Sequence, residues 1–473
     1  MASSFLSLAL CTFLVLLSGR TLGQFEQQRP FHTGTTQRFR GRTECRLENL
    51  NPSEPSRRIE AEAGFTEYWD ENSEPFECAG IAAARHIIQQ RGLLQLSFSN
   101  APRIVYIVQG RGMTGEIIPG CPESYQTVQY PQQEERGQRY RDEHQKIRAF
   151  RAGDTLVIPA GVSHWCFNDG EETVVMVEVL DTGNAANQLD QNARTFYLAG
   201  NVRHQQPGSY EQERAGQEKS GVTMIAGFDE AVLAAAMGVS RETVRKLQGR
   251  DDERGHIIQV REELQGIRPW GRQAEEEERR EREQGRDNGL EDTICTMRLR
   301  ENIGDPEKAD LFSPQAGRLT KVNSQKLPIL NTVRMSAERG HLVRDAILAL
   351  HWNTNAHAAV YVIRGEGQFQ VVGDTGRSVY DGRLRRGQLL IIPQNYAVVT
   401  QAGEQGLDWV SFKTNDNAMM SPLVGKASVY AGIPEAVLMN SYRIQREEAR
   451  QLKQNRYPEL TLHSPHYQSQ RRD

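Results

Sequence analysis

The sequence predicts a mainly β protein: two similar barrels, each followed by a small helical arm. Three observations carry that prediction. The first is an internal repeat. Ile104-Val-Tyr-Ile-Val-Gln-Gly-Arg-Gly112 returns as Ala359-Val-Tyr-Val-Ile-Arg-Gly-Glu-Gly367, and Gly153-Asp-Thr-Leu-Val-Ile-Pro159 returns as Gly387-Gln-Leu-Leu-Ile-Ile-Pro393. Two copies of one unit mean a duplicated fold. The second is strand character: Ile104–Val108, Thr155–Ile158, Thr173–Leu180, Val360–Ile363, Gln368–Val372 and Leu389–Ile392 are short, rich in Val, Ile and Tyr, and bounded by Gly or Pro. Runs of that kind and spacing build sandwiches and barrels. The third is a second repeat behind each barrel block, Ala226-Gly-Phe-Asp-Glu-Ala-Val-Leu233 matching Ala431-Gly-Ile-Pro-Glu-Ala-Val-Leu438.

These trailing blocks open helices, because Asp229 and Pro434 both suit a first turn. They continue into Arg241–Gln248 and Gln445–Gln454, which are helical in composition. Met237–Leu247 resembles half of a helix-turn-helix. The net charge, the secretory leader described below and a matching helix after the other barrel all oppose DNA binding. A packing helix capped at Ser240 is expected instead. Three segments, 132–145, 204–220 and 273–287, read as loops. The last is dense in charge without an apolar stripe, so it cannot bury enough surface to offset ordering. The tail from His463 is expected to be mobile.

With 473 residues the chain has room for two or three domains with sizeable cores. Charged residues make up 25% and hydrophobic ones 38%, as in soluble globular proteins with polar inserts. A net charge of −4 gives no strong attraction to nucleic acid or membrane. Phe5–Leu17 is apolar but too short to span a bilayer, and small residues follow it, as a signal peptidase requires. Cleavage between Gly23 and Gln24 is expected, although the leader lacks a Lys or Arg before its apolar run. Secretion permits disulfides. Without Cys11, five cysteines remain: Cys45, Cys78, Cys121, Cys166 and Cys295. Five is odd, so at least one thiol is free or pairs between chains, and spacing does not fix the pairing. Cys166 lies in Ser163-His-Trp-Cys-Phe167, the setting of a buried structural thiol. There is no Asn-x-Ser/Thr acceptor for N-glycosylation.

The repeated blocks resemble the two halves of a bicupin, a superfamily in which three His and one Glu hold a metal inside each barrel. Placed on that pattern, the Glu position is Arg103 in the first repeat and Ala358 in the second. The His-x-His position falls at Leu96–Ser99, which has no His, and at His351 and Asn353. The last His is His164 in the first repeat and Val398 in the second. One ligand of four survives in each, whereas a catalytic site commonly needs at least three protein ligands. No catalytic, cofactor or metal residue is therefore expected, and His164 and His351 are read as packed or surface histidines.

Asn288-Gly-Leu-Glu-Asp-Thr-Ile-Cys295 directly follows the charged run and resembles the processing junction of legumins, the 11S seed storage globulins. Ile118-Pro-Gly-Cys-Pro122, Gly161-Val-Ser-His-Trp165, Arg194-Thr-Phe-Tyr-Leu-Ala-Gly-Asn201 and Phe312-Ser-Pro-Gln-Ala-Gly-Arg318 resemble the same family. The resemblance runs through essentially the whole mature chain. It implies a non-enzymatic nitrogen and amino-acid reserve in seed protein storage vacuoles. It implies cleavage between Asn288 and Gly289 by a vacuolar asparaginyl endopeptidase, with trimers stacking into hexamers after the cut. It further implies disulfides Cys45–Cys78 and Cys121–Cys295. Several nut and legume members are food allergens, which makes IgE an implied partner.

The expected divisions are a leader at 1–23, an acidic-chain cupin domain at 24–272, a charged loop at 273–288 and a basic-chain cupin domain at 289–473. Charge agrees with two chains: Gly289–Asp473 holds 23 Lys/Arg and 19 Asp/Glu, a net of +4. Subtracting these from the totals of 57 and 61, and removing Arg20 with the leader, leaves 33 and 42 before the junction, a net of −9. Opposite signs favour association. The competing readings are a metal-dependent bicupin enzyme and a cupin binding a small carbohydrate or hormone without metal. Vicilin-type storage proteins share the architecture, but the Cys121/Asn288/Cys295 arrangement favours legumin.

Overall fold

The computed structural model describes residues 45, 47–123, 125–126, 142–200, 223–249, 251–262, 264, 294–295, 297–456 and 461–464. The leader junction Gly23/Gln24, the cut at Asn288/Gly289, and the loops at 204–220 and 273–287 lie outside them, as do 132–141 of the first loop.

Barrel 1 is a jelly roll of two antiparallel sheets. One sheet runs in the order Arg57–Ala61, Gly64–Tyr68, Ile81–Ile88, Val174–Asp181, Arg103–Gln109, Asp154–Ile158, Arg300–Asn302. The other runs Thr195–Tyr197, Gly92–Ser99, Ser163–Phe167, Arg111–Ile117, Ile147–Arg151, with Ile257–Gln259 also on Gly92–Ser99. Barrel 2 repeats this plan as one continuous sheet of ten strands. Its strands Ala358–Val372 and Ala397–Lys413 run without a break through both layers.

That continuity corrects one expectation. Val360–Ile363 and Gln368–Val372 are one strand, not two. Gly365 takes φ +75° and absorbs a register shift against Ala397–Lys413, so it makes a bulge inside one strand where two runs were expected. Two further differences are local. Glu143–His144, in the first expected loop, pairs with Tyr125–Gln126. Leu462–His463, at the start of the expected mobile tail, pairs with Ile347–Leu348, because Leu462 is buried in the core of barrel 2.

Side-chain alternation explains how the barrels join. Ala358, Val360, Val362, Leu390 and Ile392 fill the interior of barrel 2. Their neighbours Ala359, Tyr361, Leu389 and Ile391 belong to the core that also contains Ile104, Tyr106, Leu156 and Val177 of barrel 1. A strand with apolar residues on both faces is buried on both.

The segments that precede each repeat are exchanged. Arg300–Asn302 pairs with Asp154–Leu156 of barrel 1, with Leu299 and Ile303 in that core. Reciprocally, Ser53 bridges Leu389 of barrel 2, while Leu47 and Leu50 enter its core. The contact is reciprocal in its polar groups as well. Arg85 of barrel 1 donates to the Tyr361 hydroxyl of barrel 2 at 3.1 Å, and the repeat-equivalent Arg339 of barrel 2 lies against the Tyr106 hydroxyl of barrel 1.

The helical arms form as expected. Asp229 accepts from the amides of Ala231 and Val232 to open Glu230–Met237, and Ser240 accepts from Thr243 to open Arg241–Gln248. In the second arm Pro434 precedes Glu435–Tyr442, and Gln445 with Glu448 forms a capping box on Arg446–Gln454. Among the described residues no helix is long and apolar enough to cross a membrane.

Candidate functional site: the barrel interiors and the disulfide frame

In barrel 1, Arg103 opens the strand Arg103–Gln109 and turns inward where the bicupin pattern places a metal-binding Glu. It is 3% exposed. Its Nη2 lies 2.8 Å from His164 Nδ1 and its Nη1 lies 3.4 Å from Glu178 Oε2. The same Nδ1 lies 3.2 Å from the Ser97 carbonyl, so Arg103 as donor and Ser97 as acceptor compete for one ring nitrogen, with Arg103 the nearer. Burial, and then the Arg103 charge, push His164 down to about 3. Glu178 also meets His86 Nε2 at 3.2 Å. Burial alone would raise the Glu178 carboxyl, but Arg103 and His86 outweigh it and hold it at about 2. Thr66 Oγ1 links His86 Nδ1 at 2.8 Å to His256 Nε2 at 2.6 Å. Burial takes His256 to about 3.

Barrel 2 solves the same problem with different residues. Glu338 receives Lys413 Nζ at 3.3 Å and Lys321 Nζ at 3.5 Å. Burial opposes its ionisation, yet the two lysines bring it to about 2. His351 Nδ1 meets the Ala349 carbonyl at 2.8 Å, and burial lowers this histidine to about 4. Both surviving cupin histidines are therefore packed ones.

The chemical capacity of these interiors is small. In the first, Arg103 is buried against His164 and Glu178, and its cationic fork repels a cation. In the second, Lys413 and Lys321 take up the Glu338 carboxylate. Among the described residues, neither interior gathers three His, Cys, Asp or Glu ligand atoms around one point. Sequence reading located Arg103, His164, His351 and Asn353 but missed Glu178, His86, Glu338 and Lys413. The available signal was a lone charged residue inside an otherwise apolar strand, as in Val174-Val-Met-Val-Glu-Val-Leu180.

Outside the interiors, the cysteines form a frame. Cys45 is bonded to Cys78 with Cα atoms 4.8 Å apart, and Cys121 to Cys295 with Cα atoms 5.5 Å apart. Cys166 is a buried free thiol that donates to Thr114 Oγ1 at 3.4 Å, and burial pushes it up to about 12.

Comparison with known proteins fits this frame. Residues 50–204 and 301–450 match the family described as Cupin. The chain is 48% identical to Cocosin 1 of Cocos nucifera, over 99% of both chains. It is 47% identical to the 11S globulin seed storage protein 1 of Carya illinoinensis, over 97% of this chain and 96% of that one. The chain belongs to the 11S seed storage globulins. The crystal structure of the coconut allergen cocosin aligns with this globulin at TM-score 0.77 and 46% identity, covering 89% of this chain and 100% of that one. A recombinant pro-11S globulin of pumpkin aligns at TM-score 0.77 and 44% identity, with the same coverage. Seed storage globulins are not enzymes, in keeping with interiors that neutralise their own charges.

Proposed function

We propose that this globulin is a nitrogen and amino-acid reserve of the seed protein storage vacuole, assembled in two stages around a cut between Asn288 and Gly289. A vacuolar asparaginyl endopeptidase is the processing enzyme. The observation that carries the reading is the Cys121–Cys295 bond. Cys295 stands seven residues past Asn288. A cut there leaves the new acidic and basic chains tied through a nearby anchor, and the paired strand Arg300–Asn302 holds the basic chain a second time. Cleavage then alters assembly without releasing a fragment.

The arms supply the first stage. Val232 and Val437 occupy equivalent positions in the two arms and are 62% and 50% exposed, beside exposed Phe228, Met237 and Tyr442. Leu233 and Leu438, beside these valines, are buried and face their own domain. Equivalent apolar patches on the two arms of one subunit suit head-to-tail contact, which closes as a ring of three. Two rings stack into a hexamer after the cut. IgE is a proposed partner because the aligned coconut cocosin is described as an allergen.

Electrophoresis of mature protein tests the reading. One band is expected without reductant and two with it, the smaller beginning Gly-Leu-Glu-Asp. Asn288→Gln is expected to remain one chain under both conditions and to sediment as a trimer. Two bands without reductant would remove the cross-cut bond from the account.

A further inference from the structure

One cluster plays no part in the reading above. Cys45 and Cys78 lie beside His357, and the ligand atoms of the three residues all fall within 4.8 Å of one another. Cys45 is exposed, while Cys78 and His357 are half-buried. Three elements fix the corner. Cys78 rides on the short helix Glu74–Ala79, which Gly80 stops in the left-handed region. Cys45 begins the segment whose Leu47 and Leu50 are anchored in barrel 2. His357 lies between the strands Ile347–Asn353 and Ala358–Val372. Its backbone amide donates to Thr414 Oγ1 at 3.0 Å, and its carbonyl accepts from the Thr414 amide at 3.2 Å.

We propose that reducing the Cys45–Cys78 bond turns this corner into a binding site for zinc or a similar thiophilic divalent ion. Both thiolates and the His357 imidazole would be its ligands. While the sulfurs are bonded to each other neither is a thiolate, so the oxidised protein has only one competent ligand here. A dithiol reductant changes that. It is oxidised to its own disulfide as the Cys45–Cys78 bond takes up two electrons and two protons. The ion then displaces both protons and binds the two thiolates.

The distances suit this chemistry. Tetrahedral zinc, with bonds of about 2.3 Å to sulfur and about 2.0–2.1 Å to nitrogen, needs its ligand atoms roughly 3.6–3.8 Å apart. Side-chain rotation at the two cysteines opens the pair to that span while the backbones stay anchored. The Gln394 amide now donates to His357 Nδ1 over a long 3.3 Å, and ligation gives up that contact. With three protein ligands, the fourth position stays open to water. Cys45 and Cys78 belong to the first repeat and His357 to the second. Because the Cys45 segment is already anchored in barrel 2, the ion would keep the link that the Cys45–Cys78 bond makes and add His357 of barrel 2 to it.

The same full-length protein tests this in its two redox states. It is reduced with a phosphine, freed of excess reductant under nitrogen, and treated with an alkylating agent with and without zinc. Peptide mass spectrometry then reads each cysteine. Zinc is expected to slow alkylation of Cys45 and Cys78 and to leave Cys121 and Cys295 unchanged, so the second pair is an internal control. Cobalt(II) added to the reduced protein should give thiolate-to-metal charge-transfer absorption that the oxidised protein lacks. His357→Gln should raise the zinc concentration for half-protection by about tenfold or more, as even supporting groups at metal sites contribute that much. Equal protection of all four cysteines, protection of none, or an unchanged titration in His357→Gln would overturn the proposal. The wild-type comparison decides the matter even where the variant folds poorly.

Discussion

Arg103, Glu178 and His164 in barrel 1 have working counterparts in barrel 2, but not at the equivalent positions of the repeat. Each counterpart sits directly across the ladder. Arg103 pairs with Leu180; in barrel 2 the equivalent pair is Ala358 with Lys413, so the cation has moved to the neighbouring strand. Glu178 pairs with Ala84; the equivalent pair is Ser411 with Glu338, so the carboxylate has moved too. His164 pairs with Ser97; the equivalent pair is Val398 with His351. Cross-strand neighbours place their Cβ atoms only about 4.5–5.5 Å apart, so one long side chain reaches the same point in space from either strand. The interior constrains where charge and imidazole lie, and leaves open which strand supplies them. The inter-barrel contact is different: Arg85 and Arg339, with Tyr361 and Tyr106, keep equivalent positions because each must reach a fixed group on the other barrel.

The comparison predicts unequal damage. Without Arg103, Glu178 keeps the His86 imidazole, whereas without Lys413, Glu338 keeps the Lys321 ammonium. Arg103→Ala should cost about 3–5 kcal/mol, the range for removing one partner of a buried ion pair. Lys413→Ala should cost less, about 1–3 kcal/mol. Urea unfolding of the two variants checks the order, and equal losses would break the comparison.

Rebuilding barrel 2's arrangement inside barrel 1 sharpens it. Adding Leu180→Lys to Arg103→Ala should recover about 1–3 kcal/mol, the coupling expected between contacting groups. A lysine at position 180 that makes matters worse would show that strand identity matters after all.

Acid separates the barrels by a smaller amount. His164 and His256 sit at about 3 and His351 at about 4, all below the ordinary value near 6.5. Below pH 6.5 the unfolded chain binds protons that the folded barrels refuse. Stability is full above that pH and falls as pH drops toward 4. Each such histidine contributes roughly 1.4 kcal/mol per pH unit within the window. Barrel 1 carries two and barrel 2 one. Hydrogen exchange, corrected for intrinsic rates, should therefore show Arg103–Gln109 losing more protection than Ala358–Val372 between pH 6.5 and 4.5. Glu178 and Glu338 act lower, between about 4.5 and about 2, and act alike.

The smallest expected effect is at Cys166, whose equivalent in barrel 2 is the buried Thr400. Cys166→Ala removes about one methylene's worth of packing, about 1 kcal/mol. Thr114 keeps its bonds to Glu116 and the Trp165 carbonyl. Calorimetry measures the loss.

These pairs also explain what the residues disclosed in advance. The strands, arms and helix caps were legible because each is written within a few adjacent residues. The missing metal ligands were legible because a motif fixes their spacing. Glu178 and Glu338 were not, since their partners are set by ladder register. The exchanged segments were not either, because Ser53 and Arg300–Asn302 are too short to show a period.

That exchange has a consequence for the order of events in the life of the protein. The first part of the chain lacks the strand that covers Asp154–Leu156, and the second lacks Leu47, Leu50 and Ser53 on barrel 2. Neither part is a complete folding unit. Made separately, each would expose apolar surface and a raw sheet edge open to stray pairing. A chain severed near Asn288 before folding would have to find its other half by collision, while one severed afterwards already holds it. If the proposed cut near Asn288 is made, folding must come before it, because the covered strand edges are what hold the two parts together.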